Sequence, residues 1–222
     1  MTVTGVRGPA LAAGLALVVF FVLLVSATHL VPWAESFDLA VHTWMIGHRT
    51  DAVVGLAIGV TTGGSSAVTA PVVFLFALAV TAGPLRARAK RAAIVLAVLG
   101  AAILCRYGLA ELIARARPPH QDWAAYASGQ AFPSGHTSDA ALAAGLIGWL
   151  VSQRLGDRPM LHRLTWIVAG LSVIAVATTR VYLGMHWPTD VLGAIAFATA
   201  WLAVALVVER AGFAVRRGDF PR

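Results

Sequence analysis

Charge is scarce in this chain: only 12% of its 222 residues are Asp, Glu, Lys or Arg, against about a quarter in ordinary soluble domains. That scarcity excludes a typical soluble domain. Lysine is nearly missing, with Lys90 alone beside 16 arginines, a bias that hints at a GC-rich bacterial genome. Cysteine occurs once, so no internal disulfide forms, and the apolar neighbours of Cys105 point to a buried packing role. The 21 glycines follow no three-residue period, which excludes a collagen-like repeat, and no Gly/Ser linker suggests a second domain. What is present is apolar, at 59% of residues with a mean hydropathy of +0.78. Such a chain has too much surface to bury to remain disordered. It reads as an integral membrane protein of one domain, residues 1–222, because six spans of about 20 residues use roughly 120 and leave about 100 for loops.

Apolar runs separated by charges predict an all-α, polytopic bundle with transmembrane helices at about 8–31, 66–83, 92–112, 134–152, 164–182 and 188–208. The run before Val25-Ser26-Ala27 exceeds a signal-peptide core, so no cleavage is expected there. Between the first two spans, Trp33 and Trp44 lie among Glu35, Asp38, His42, Arg49 and Asp51, which predicts interfacial helices.

A net charge of +7 invites a nucleic-acid reading, but the basic residues are scattered between apolar runs and make no contiguous basic face. They record topology instead. Arg7, the 86–91 cluster, the 153–163 loop and the C-terminal tail hold 12 basic residues, against 5 on the alternate side: Arg49, Arg106, Arg115, Arg117 and Arg180. By the positive-inside rule the termini are cytoplasmic and the chemistry faces outward in a cell membrane.

Three polar segments then fall at one membrane face: Arg115-Ala116-Arg117-Pro118, Pro133-Ser134-Gly135-His136, and Arg180 through Asp190. Ionisable residues at membrane depth are functional candidates by default. Ser134 suits a helix N-cap, whose first-turn amides favour an anion, and Gly135 lets a ligand approach the backbone. His136 exchanges a proton near physiological pH. Pro188 suits a first helical position, which sets Asp190 four residues after His186 on one face. There it can hold the Nδ1 proton and leave Nε2 as a nucleophile. Arg117 and Arg180 supply guanidinium groups for phosphate oxygens. No His-Glu-x-x-His, cysteine pair or acidic cluster suggests a metal, and no cofactor is expected.

In this order the three segments resemble the signature of the type-2 phosphatidic acid phosphatases, a family of membrane lipid phosphatases. Two departures stand out: Ala110 occupies the place of the family's lysine, seven residues before Arg117, and Thr179 replaces a serine. Arg106 or Arg115 is expected to substitute for the lysine. The resemblance implies that His186 forms a phosphohistidine with Asp190 orienting it. It also implies that His136 protonates the leaving oxygen and later activates water, and that Arg117, Arg180, Ser134 and Gly135 hold the phosphate.

A site at headgroup level implies a lipid phosphate or diphosphate, with undecaprenyl diphosphate expected first and phosphatidylglycerol phosphate or phosphatidate as alternatives. Two competing readings are a non-hydrolytic lipid-binding member, suggested by Ala110, and a vanadium haloperoxidase, opposed by the apolar spans. Glu111, His120 and Asp122 read as solvated or interfacial, Trp123 and Trp187 as interfacial anchors. His29, His42, His48 and His162 receive no role.

Overall fold

The computed structural model describes the backbone of residues 4–27 and 32–217, and no side chain of 1–7, 9, 28–31 or 210–222. The described residues are helical, with no strand. Eight α-helices follow in order: α1 Thr4–Ala27, α2 Pro32–Gly47, α3 Asp51–Thr62, α4 Ser66–Val80, α5 Leu85–Ile113, α6 Gly135–Leu155, α7 Pro159–Tyr182 and α8 Pro188–Arg217. A short 3-10 turn, His120–Asp122, interrupts the connection between α5 and α6. His29 and the end of the first expected span, 28–31, lie outside the described residues.

Six spans were expected, and four helices are long and apolar enough to cross a membrane: α1, α5, α7 and α8. The short α3 and α4 meet at a 50° bend and are apolar and long enough only when counted together, so the described residues hold four such helices, or five with the bent pair as one span. The interfacial stretch and the second expected span are therefore linked, because the turn at Gly63 and Gly64 redirects the chain without ending its apolar run. Of the two helices that remain, α2 and α6, the longer α6 carries Thr137, Ser138 and Asp139 in its first turns, all buried. It packs against α4, α5, α7 and α8, so its polar groups face protein.

Burial explains that arrangement. Leu142, Leu146 and Leu150 descend one face of α6 and interlock with Val73 and Ala77 of α4, Val95 and Leu99 of α5, and Ala198 of α8. Outward positions carry Leu15, Phe21, Leu104, Leu164, Ile167 and Leu171, all exposed; contiguous apolar exterior on this scale marks a lipid-facing surface. Cys105, expected to be buried, is on that exterior of α5. The third, fifth and sixth spans extend past their expected ends because helix α5 runs through the basic cluster from Leu85, α7 begins at Pro159, and α8 continues to Arg217. Charges at an interface stop a hydropathy window without stopping a helix.

Helices α5 and α7 end, and α6 and α8 begin, at the same end of the bundle. That end collects the three polar segments.

Candidate active site

At the start of α6, Ser134 occupies the N-cap position, but its hydroxyl makes no cap bond. It accepts instead from the Thr137 hydroxyl at 3.2 Å, and the first helical bond runs from the Ser138 amide to the Ser134 carbonyl at 2.9 Å. The amides of Gly135, His136 and Thr137 thus stand outside the helix ladder at its positive end. Gly135 lies under the Arg106 guanidinium: a Cβ there would lie 3.2 Å from its Nη1.

His186 follows Gly184, whose φ of +77° turns the chain beneath α8, where a Cβ would strike the Asp122 carbonyl. The imidazole is 1% exposed. Its Nδ1 faces Asp190 Oδ2 at 3.3 Å, and its Nε2 is 2.8 Å from Nη1 of Arg117. Since guanidinium only donates, Nε2 must accept, which places the ring proton on Nδ1 toward Asp190. Burial first, then the charges of Arg117, Arg180 and His136, hold the His186 pKa well below its ordinary value. The ring is neutral, with its Nε2 lone pair held by the Arg117 N–H.

The arginines divide by what they touch. Arg117 uses all five donors: Nε on the Gly129 carbonyl, Nη2 on Ser128 and Gln130, and Nη1 on Met185 and His186. Trp123 and Trp187, expected as interfacial anchors, donate their indole N–H groups to the Pro118 and Ala116 carbonyls on either side of it, both at 3.0 Å. Arg180 reaches the Thr61 hydroxyl at 3.2 Å, and the nearest carboxylate oxygen to Arg106 is Asp139 Oδ1 at 3.9 Å. Nε of both arginines is buried with no hydrogen-bond partner. Arg115 also has an unpartnered Nε, but its two terminal nitrogens bond Asp38, Thr189 and Asp190. Its fork, expected as a possible substitute for the missing lysine, is turned onto the carboxylates behind His186. Arg106, against Gly135, is at the site. The charges of Arg180, Arg106 and Arg117 all bear on His136.

Sequence reasoning missed Asp38, Thr61 and Thr189. Asp38 is an acid in an apolar helix, a signal available from the sequence, but it was grouped with the interfacial charges. Asp122 and His42, read as bland, bond each other at 3.0 Å. Arg49 pins the same loop by donating to the Asp122 and Tyr182 carbonyls at 2.7 and 3.0 Å. Among the described residues, no group of three or more His, Cys, Asp or Glu side chains gathers as a metal site.

Open cationic groups beside a neutral, oriented imidazole, at one end of a lipid-facing bundle, define a class: a multi-pass membrane enzyme acting on phosphate esters. The chain belongs to the PAP2 superfamily, whose family model matches residues 91–212, and it is a membrane lipid phosphatase of that type. It is 31% identical over 180 residues to phosphatidylglycerophosphatase B of Bacillus subtilis (strain 168), covering 80% of this chain and 85% of that protein. The same-named protein of Haemophilus influenzae is 38% identical over 87 residues, 36% of this chain and 32% of that one. A crystal structure described as the first transmembrane PAP2 type phosphatidylglycerolphosphate phosphatase, from Bacillus subtilis, superposes with a TM-score of 0.76 at 25% identity, covering 89% of this chain and 96% of that one.

Proposed function

We propose that this chain releases phosphate from phosphatidylglycerol phosphate through a phosphohistidine on His186, without a metal ion. The names of both relatives favour that lipid over the undecaprenyl diphosphate expected from the sequence. The observation that carries the mechanism is the line Asp190–His186–Arg117, which fixes the tautomer and leaves the Nε2 lone pair at the site.

Phosphate oxygens take the open donors of Arg106 and Arg180 and the amides of Gly135 and His136, near Ser134. One Arg117 N–H moves from Nε2 to a phosphate oxygen as substrate enters. The Nε2 lone pair then forms the N–P bond while the P–O bond to the glycerol oxygen breaks, and that oxygen leaves with a proton from His136. Water next attacks phosphorus and gives a proton to His136. The N–P bond breaks, and the imidazole returns to its neutral form with its Nδ1–H still donated to Asp190. Charge spreading over the transferring group is met by preorganised guanidinium groups, the role a metal plays elsewhere.

Outward orientation is part of this reading. Arg86, Arg88, Lys90 and Arg91 at the start of α5, and Arg154, Arg158 and Arg163 around the α6–α7 turn, lie at the end of the bundle remote from the site, which supports a cytoplasmic position for that end.

The test is phosphate release by the purified full chain in detergent with EDTA, using phosphatidylglycerol phosphate, undecaprenyl diphosphate and phosphatidate. Highest kcat/KM on phosphatidylglycerol phosphate, lost in His186→Ala, is expected. Preference for undecaprenyl diphosphate would replace the substrate, and activity surviving in His186→Ala would falsify the nucleophile. Folded wild type that released nothing from any of the three would leave a lipid-binding protein.

A further inference from the structure

A carboxylate orients an imidazole only as well as it is itself held. Asp190 Oδ2 accepts from the Trp187 amide at 2.8 Å as well as facing His186, and its Oδ1 accepts from Nη1 of Arg115. The same Nη1 reaches the Thr189 hydroxyl at 2.8 Å, while Nη2 donates to Asp38 Oδ2 at 2.7 Å. Asp38 then closes the network on α8: its Oδ1 accepts from the Thr189 amide at 2.9 Å and its Oδ2 from the Thr189 hydroxyl at 2.6 Å. Asp38, Arg115, Thr189 and Asp190 are all at most 5% exposed.

An ion pair serving only to dock α2 would balance one charge with one. Here two buried carboxylates share the single guanidinium of Arg115, one negative charge more than it balances, with Arg117 the next cation to bear on Asp190. The surplus lies directly behind the imidazole, on the side opposite the phosphate site. When Nε2 bonds to phosphorus, the ring becomes cationic, and that is the moment at which the surplus stabilises it.

We propose that Asp38 of α2 is a positioning residue for the hydrolytic reaction: through Arg115 and Thr189 it fixes the Asp190 carboxylate that orients His186, and its charge favours the phosphorylated ring. Asp38 lies outside residues 91–212 that the family model matches. Helix α2 is thus a working part of the site. This rests on His186 being the nucleophile.

Asp38→Asn keeps the size of the side chain and removes the charge. With the full chain in detergent, kcat and KM on phosphatidylglycerol phosphate and the rapid-quench rate of phosphohistidine formation are measured beside wild type and Asp38→Glu. The expected result is a fall of kcat by about 10- to 100-fold, converted at tenfold per 1.36 kcal/mol to about 1.4–2.7 kcal/mol. KM stays within about twofold, phosphohistidine forms more slowly by the same factor as kcat, and Asp38→Glu recovers part of the loss. A folded Asp38→Asn chain with wild-type kcat overturns the proposal, and so does a loss confined to KM, which would mark a substrate-binding or purely architectural role. If Asp38→Asn does not fold, Thr189→Val replaces it: a kcat loss of a few-fold at unchanged KM supports the chain of contacts, and wild-type kcat overturns it. Wild type that turns over without any phosphohistidine overturns the nucleophile reading itself. Equal rates of phosphohistidine formation in wild type and Asp38→Asn overturn only the role of Asp38.

Discussion

The two ends of the bundle use the same residue type in opposite ways. At the end away from the site, Arg91 bonds Glu209 at 3.0 Å and Gln153 at 3.2 Å and covers the Trp149 ring at 4.2 Å, and both members of its ion pair are about a quarter exposed. At the site end, Arg106 and Arg180 are 6% and 3% exposed, yet neither has a carboxylate within hydrogen-bond distance. Exposed arginine with a partner costs little and contributes little. Buried arginine that no carboxylate bonds is expensive unless something anionic arrives. Between these extremes stands Arg115, buried with two carboxylates, whose charge is absorbed by the protein. Pairing with carboxylates, more than the number of arginines, separates Arg106 and Arg180 from the braced Arg115 and from the surface pair of Arg91.

The contrast breaks most completely at the atom it serves. His186→Ala is expected to lower kcat by about four to six orders of magnitude, as for removal of a nucleophile from a concerted set, read as phosphate release per folded enzyme. Next come the open arginines: Arg180→Ala and Arg106→Ala should each cost about 10²–10³ in kcat/KM, the size of losing one preorganised donor to developing charge. Arg106 carries a sharper test, because the family's lysine is missing at Ala110. Adding Ala110→Lys to Arg106→Ala should recover at least about tenfold of the loss if both side chains reach the same oxygens. No recovery, with the double variant folded, would separate Arg106 from the lysine's role.

A third test uses pH. His186 is buried as a neutral ring with its pKa held well below 6.5, so the unfolded chain takes up a proton near pH 6.5 that the folded chain refuses. This contribution is absent above pH 6.5 and destabilises progressively as pH falls from there toward the folded pKa, by at most about 1.4 kcal/mol per pH unit. Thermal denaturation of wild type from pH 7.5 to 5.5 should therefore show a steeper loss than His186→Asn. Parallel curves would mean that the ring titrates normally and is open to solvent.

The three polar segments were legible in the sequence because each is short and its spacing is local: Pro188 opens a helix and Asp190 follows His186 by one turn. Helical character was legible too, from apolar runs. Two things were hidden. Helix ends were displaced, since charges from Leu85 to Arg91 interrupt hydropathy without interrupting backbone bonds. The support behind the site was hidden because Asp38 and Arg115 stand 77 residues apart and meet only when α2 packs beneath α8. Ser134 had the right position for an N-cap and the wrong partner, as Thr137 was better placed to bond its hydroxyl. Arg115 and Arg117, two residues apart, point to different neighbours, and no spacing rule could have told which of them turns onto the carboxylates.

The smallest effect is expected where the comparison began. Arg91→Gln removes the charge that pairs with Glu209 and lifts the guanidinium from Trp149, but both partners already touch solvent, which resolvates Glu209 at little cost. The stability change should stay within about 1 kcal/mol, the range of exposed ion pairs. It should shrink further in high salt, since screening acts on exposed charges within about 10 Å at 0.1 M. Activity should remain within about twofold of wild type, because no contact of Arg91 leads toward His186. Thermal melts at low and high salt, with phosphate release on the same samples, decide the matter. An Arg91→Gln chain that lost as much activity as Arg180→Ala would show that charge at either end of the bundle matters equally, and the distinction drawn from partnering would fail.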